Sequence, residues 1–204
     1  MKTLKVKITF VEDILGTLPN DKDVYDRFIV ERGKKNGADI SENTEIEELA
    51  ALPTDEQMEK GMTVFPRTEN GDPFLYDYQI KGFFKDTCSM LKKIPGTESS
   101  KIKAFKKEID GLIFPSPRKI VFQNYEVDIC QRPLRAQTMQ GERVSLAKSE
   151  QIKAGAFIEF EIGCMLDSQI DLVREWLNYG RYRGIGQWRN SGKGRFEWEE
   201  LGVE

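Results

Sequence analysis

Leu4, Val6, Ile8 and Phe10 alternate with Lys5, Lys7 and Thr9, and this period of two predicts a half-buried strand at the start of the chain. Gly16 and Pro19-Asn20 end it. Asp21 or Asp23 then caps a short helix through Val24, Tyr25, Phe28 and Ile29, ending at Gly33. Met62, Val64 and Phe65 predict another strand, and Asn70-Gly71 between apolar segments is a hairpin signal. The best helix of the chain follows. With Asp77 as N-cap, Ile80, Phe83, Phe84, Thr87, Cys88 and Leu91 share one face until Pro95-Gly96. Phe83 and Phe84 therefore belong to a core. A further helix from Ser99 or Ser100 to Ile109 turns Ile102, Phe105 and Ile109 inward and Lys101, Lys103, Lys106 and Lys107 outward.

From Leu112 onward the pattern becomes strand-like, in short runs at 112–114, 120–122 and 127–130. Pro133 interrupts, the segment from Leu134 to Gly141 reads as a polar hairpin arm or crossing loop, and a strand resumes over 144–147. Ala156, Ile158, Phe160 and Ile162 alternate with Phe157, Glu159 and Glu161 in a clear strand. Asp167 or Ser168 caps a helix carrying Ile170, Val173, Trp176 and Leu177 inward, and residues 195–199 close the chain as another strand. The expected architecture is one α+β domain over residues 1–204, with an antiparallel-rich sheet packed with helices.

Charge adds an insertion to this picture. Residues 34–60 lose periodicity, and between 12 and 60 the chain has 14 acidic and 6 basic residues. The segment is either a solvated loop or an acidic surface for a basic partner. Between 79 and 119 the balance reverses, with 10 basic and 4 acidic residues, as a solvated face or part of a positive surface. The whole chain of 204 residues carries a net charge of −3, so any nucleic-acid site must be a local patch.

Absences narrow the chemistry. There is no histidine, which removes Ser-His-Asp and Cys-His catalysis and His-ligated metals. Cys88, Cys130 and Cys164 are odd in number and form no Cys-x-x-Cys pair, as expected of reduced thiols in a cytoplasmic protein. No run reaches the roughly 20 apolar residues that span a bilayer. Asp167, Asp171 and Glu175 recur every four residues on one helix, a spacing that more often solvates a face than binds magnesium. The expectation is a protein without catalytic residues, metal or cofactor.

The candidate chemistry lies late. From Asn178 to Phe196, Gly184, Gly186, Gly192 and Gly194 alternate with Arg181, Arg183, Arg189 and Arg195, joined by Tyr182, Trp188, Ser191 and Lys193. Glycine lets a partner's backbone approach closely, arginine presents a planar fork to phosphates, and aromatic rings stack on bases. A competing reading packs Trp188 on the sheet and pairs the arginines with acids such as Glu197 and Glu199. Arg132 and Arg135 form a second basic cluster, in the polar hairpin segment. Gly184-x-Gly186 is no dinucleotide fingerprint, because it follows a helix and opens none.

Strand, helix, glycine-rich loop and strand, over Ala156–Ile162, Gln169–Tyr179, Gly184–Gly194 and Phe196–Trp198, resemble the closing part of the repeat-associated (RAMP) proteins of CRISPR systems. The likeness covers about the last 50 residues. It implies a ferredoxin-like, RRM-related fold whose loop contacts RNA backbone through its amides, Arg189 and Lys193. RAMP proteins that cleave RNA usually employ a histidine, so the resemblance implies RNA holding, either free or in a ribonucleoprotein complex. The chain as a whole is also similar to small proteins of phages and prophages of Gram-positive bacteria. That likeness implies an alternative, a protein of the host-cell cytoplasm that binds and blocks or mimics part of a defence complex. An RNA endonuclease using Tyr or Lys is the third reading.

Overall fold

A computed structural model describes residues 2–20, 62–138 and 141–203, apart from the side chains of 134–138, 142, 143 and 145. The helix expected over 21–33 and the acidic insertion of 34–60 lie outside the described residues.

The opening alternation forms strand β1 (Lys2–Phe10), whose Leu4, Val6, Ile8 and Phe10 are buried. β1 pairs antiparallel on one side with β10 (Phe157–Cys164) and on the other with β11 (Phe196–Val203). β10 in turn pairs with β6 (Ile113–Ser116). The strand order β11-β1-β10-β6 is the 4-1-3-2 order of a βαββαβ unit, an α+β fold of ferredoxin-like type. Helices α1 (Asp77–Leu91) and α2 (Phe105–Leu112) fill the first crossover, and α3 (Ser168–Asn178) and a single turn, α4 (Gly180–Arg183), the second.

One sheet face meets these helices in a continuous core in which the tilted rings of Phe84 and Trp176 pack at 5.3 Å between centroids. The other face is a lattice of charge. Lys5 opposes Glu161, Lys7 lies between Glu159 and Glu199, and Thr9 opposes Glu197.

The helix expected over 99–109 divides in two. Glu98–Lys101 is a 3-10 turn capped by the Thr97 hydroxyl, and α2 starts only at Phe105. The reason is Glu175 on α3. Its carboxylate accepts from the amides of Glu98 (2.7 Å) and Ser99 (3.0 Å) and from the Ser99 hydroxyl (2.5 Å). Trp176 Nε1 then donates to the same hydroxyl at 2.9 Å, tying the turn to the core. Glu175→Ala is expected to cost about 2–3 kcal/mol, since it orphans donors on a part-buried turn. The urea midpoint checks it.

Outside the four-stranded sheet the described residues form two further sheets. β5 (Phe74–Tyr76) pairs with β7 (Lys119–Val121), joined to it through α1 and α2, after the turn at Asn70-Gly71. β8 (Val127–Thr138) and β9 (Gly141–Ile152) form a long hairpin with unbroken register. The interruption expected at Pro133 does not occur. Among the described residues β8 pairs only with β9, and a proline is tolerated on such an edge strand because no ladder bond is needed on its open side. The base of β9 also holds β2 (Ile14–Leu15) and β4 (Thr63–Val64), and β4 pairs with β3 (Leu18–Pro19).

Candidate nucleic-acid interface

The glycine-rich loop leaves α4 and returns to β11 across the turn that follows β1. Gly194 is the point of closure. Its amide donates to Asp13 O at 2.8 Å and its carbonyl accepts from Ile185 N at 2.9 Å, while Ile185 is buried beneath. The Arg195 carbonyl accepts from Val11 N and Glu12 N. Gly184 and Gly194 lie backbone to backbone with φ of +71° each, so neither position has room for a side chain.

Around this frame the cations are placed by carboxylates. Arg183 Nε and Arg189 Nη1 both donate to Asp86 Oδ2, at 2.7 and 2.8 Å, and Arg183 also reaches Asn190 Oδ1 at 2.6 Å. Lys193 Nζ meets Asp13 Oδ2 at 2.9 Å, and Arg181 meets Glu197 at 3.3 Å. Burial raises the Asp13 carboxyl, but Lys193, the Ala154 amide and Lys153 outweigh it and hold the group below its usual value. The pairing of an arginine with Glu197, weighed from sequence, occurs at Arg181. Two arginines on one aspartate leave a local excess of positive charge.

Trp188 is not part of the buried core. It is 40% exposed, with a left-handed backbone (φ +55°), and the guanidinium of Arg132 lies 4.7 Å from its ring centroid. Arg132 comes from β8, so the hairpin base and the loop meet here. Its Nη2 donates to Gln187 Oε1 at 3.3 Å. Among the described residues, the amides of Gly186, Gln187 and Trp188 find no backbone acceptor. Successive amides free of backbone acceptors are the groups that bind anions in backbone nests.

Tyr182 is 65% exposed beside Tyr179, and Ser191 is exposed at the end of the 3-10 turn Arg189–Ser191. Gly192 lies alongside the Arg195 guanidinium, whose buried Nε has no acceptor among the described residues. The structure thus brings together Arg183, Gly184, Gly186, Trp188, Arg189, Gly192, Lys193, Gly194, Arg195 and Arg132. Arg135 is placed by its backbone alone, opposite Val144. The lysine-rich helices spend charge locally: Lys85 on Asp110, Lys101 on Glu98, Lys92 over the Phe105 ring. Sequence reading missed Asp86 and Asp13, which organise the cations. The only signal for Asp86 is an acid off the apolar stripe of α1, among lysines.

The carboxylates of Asp167, Asp171 and Glu175 diverge: the first pairs with Lys2, the second with Arg174, and the third caps the 3-10 turn. The thiols differ sharply in exposure. Cys164 and Cys88 are buried, and burial pushes Cys164 up to about 11 and is the leading cause of a rise at Cys88. Cys130 is partly exposed. A thiol reagent at neutral pH is expected to label one cysteine in the native chain and three after unfolding. Because the folded Cys164 titrates above its usual 9.0, its stabilising contribution is complete below pH 9 and is lost as pH rises towards 11.

No protein-family model matches the chain, and no curated protein does. Among solved structures, the chain is similar to a chain of the type III-B Cmr-β, determined by cryo-EM bound to cognate target RNA. The TM-score is 0.56 at 12% identity, over 100% of this chain and 60% of that one. The likeness is one of fold, and this chain spans about 60% of its neighbour's length. No helix among the described residues is long and apolar enough to cross a membrane.

Proposed function

We propose that this chain is a non-catalytic RNA-binding protein of RAMP-like type, holding RNA or another single-stranded nucleic acid at the glycine-rich loop and the base of the β8–β9 hairpin. The observation that carries the reading is the run of amides at Gly186, Gln187 and Trp188 without a backbone acceptor among the described residues, set among cations. Phosphate would replace Asp86 on Arg183 and Arg189, exchanging one anion for another in a prepared fork. The net charge of the open sheet face, with Glu159, Glu161, Glu197 and Glu199 against Lys5 and Lys7, argues against RNA lying there, as it does on an RRM. The fold supports the same reading, since the Cmr-β neighbour is described as bound to target RNA. A place within a ribonucleoprotein complex is consistent with it. With no histidine in the chain, holding RNA is a better fit than cutting it.

The test is native purification followed by the ratio of absorbance at 260 and 280 nm and sequencing of any bound nucleic acid. The reading predicts a raised ratio and a discrete RNA. A clean protein ratio with a co-purifying protein would overturn it in favour of a protein-blocking module.

A further inference from the structure

Arg132 is a buried cation with no carboxylate partner among the described residues. It is only 8% exposed, and among the described residues no carboxylate lies within ion-pair distance of it. A guanidinium has five N–H donors. Here it reaches two acceptors, both at the long end of the hydrogen-bond range: Ser149 Oγ at 3.5 Å and Gln187 Oε1 at 3.3 Å. Its covered Nε has none among the described residues. Arg181, Arg183, Arg189 and Lys193 each meet a carboxylate, whereas Arg132, like Arg195, has none among the described residues, and Arg132 is the more deeply buried of the two. An uncompensated buried charge costs far more than contact with one ring returns.

The ring it touches is unusual as well. Trp188 is one of two non-glycine residues with positive φ among the described residues, and a bulky side chain adopts that conformation only where its surroundings hold it. The consequence is a ring left 40% exposed, floored by a guanidinium at 4.7 Å. A strained backbone and a buried guanidinium with few partners among the described residues thus coincide at one contact between two segments distant in sequence.

We infer that Arg132 and Trp188 form a pocket for one unstacked nucleotide, with a phosphate pairing with the Arg132 guanidinium and the base lying on the exposed surface of the indole. This rests on the proposed RNA binding at the loop and narrows it to single strands, because a base inside a duplex has no free face to offer Trp188. The pocket selects strandedness and not sequence, since every base has a stacking face.

Intrinsic fluorescence and thermal melting test it together. Trp176 is fully buried and Trp198 is partly buried, its Nε1 donating to Asn178, so Trp188 is the tryptophan positioned to respond. A single-stranded oligouridine is expected to quench the emission, and the same length of RNA duplex is expected to leave it unchanged and to bind about 10-fold more weakly. Trp188→Leu should remove the quenching and lower single-strand affinity about 10-fold. Arg132→Met should weaken binding to a similar degree while raising Tm, because it removes a buried charge that no described carboxylate neutralises. A purely structural arginine gives the opposite sign. A lower Tm with unchanged RNA affinity would overturn the pocket, as would binding that neither quenches nor distinguishes strand from duplex. Those results leave RNA binding by the loop standing, whereas absence of RNA binding in any form overturns both.

Discussion

Gly194→Ala is expected to lower the stability of the fold by about 4 kcal/mol and to abolish the shape of the loop. A Cβ at this position would lie 1.9 Å from the Ile185 carbonyl oxygen, so the two backbone runs of the loop must separate. Separation breaks the Ile185–Gly194 and Gly194–Asp13 hydrogen bonds and adds the cost of a left-handed alanine at φ +71°. Gly71→Ala supplies the control, because its φ is +87° but nothing lies within 4 Å of the added carbon. It should cost about 1 kcal/mol, the conformational part alone. Urea denaturation of both variants measures the difference, and equal costs would refute the close approach at Gly194.

The second large effect is on RNA affinity. If about four cations neutralise phosphates of a single strand, affinity should fall about 50-fold between 50 and 200 mM salt, following a slope near −0.7 per contact. Arg189→Ala and Lys193→Ala together should remove about two contacts, flatten the slope by about 1.4, and weaken binding severalfold at low salt. Arg189→Ala alone leaves Asp86 to Arg183, so part of the local positive excess disappears with it. Filter binding over a salt series reads both quantities. An unchanged slope in the double variant would place the phosphates elsewhere.

Much of the scaffold behind these effects is legible in the sequence because it follows from periodicity. The alternation of Leu4 to Phe10 and of Ile158 to Ile162 gives two central strands, and the stripe from Ile80 to Leu91 gives α1. Periodicity fails where a distant side chain decides. The break before Phe105 depends on Glu175, more than seventy residues away, and the continuity of β8 through Pro133 depends on its edge position. The ingredients of the candidate site are readable as composition, since glycine, arginine and tryptophan crowd residues 181–195. Their arrangement is not. The shared carboxylate of Asp86 and the seating of Arg132 on Trp188 join segments about 100 and 56 residues apart, and no local pattern encodes either contact.

The claim that the loop and hairpin base hold RNA is tested most directly by ultraviolet crosslinking of single-stranded RNA to the native protein, with the linked peptides identified by mass spectrometry. Crosslinks are predicted within residues 181–195, at Trp188 and Tyr182 foremost, and in the strand that carries Arg132. Crosslinks confined to the open face of the sheet, at Phe157 and its neighbours, or no crosslink at all, would contradict the account.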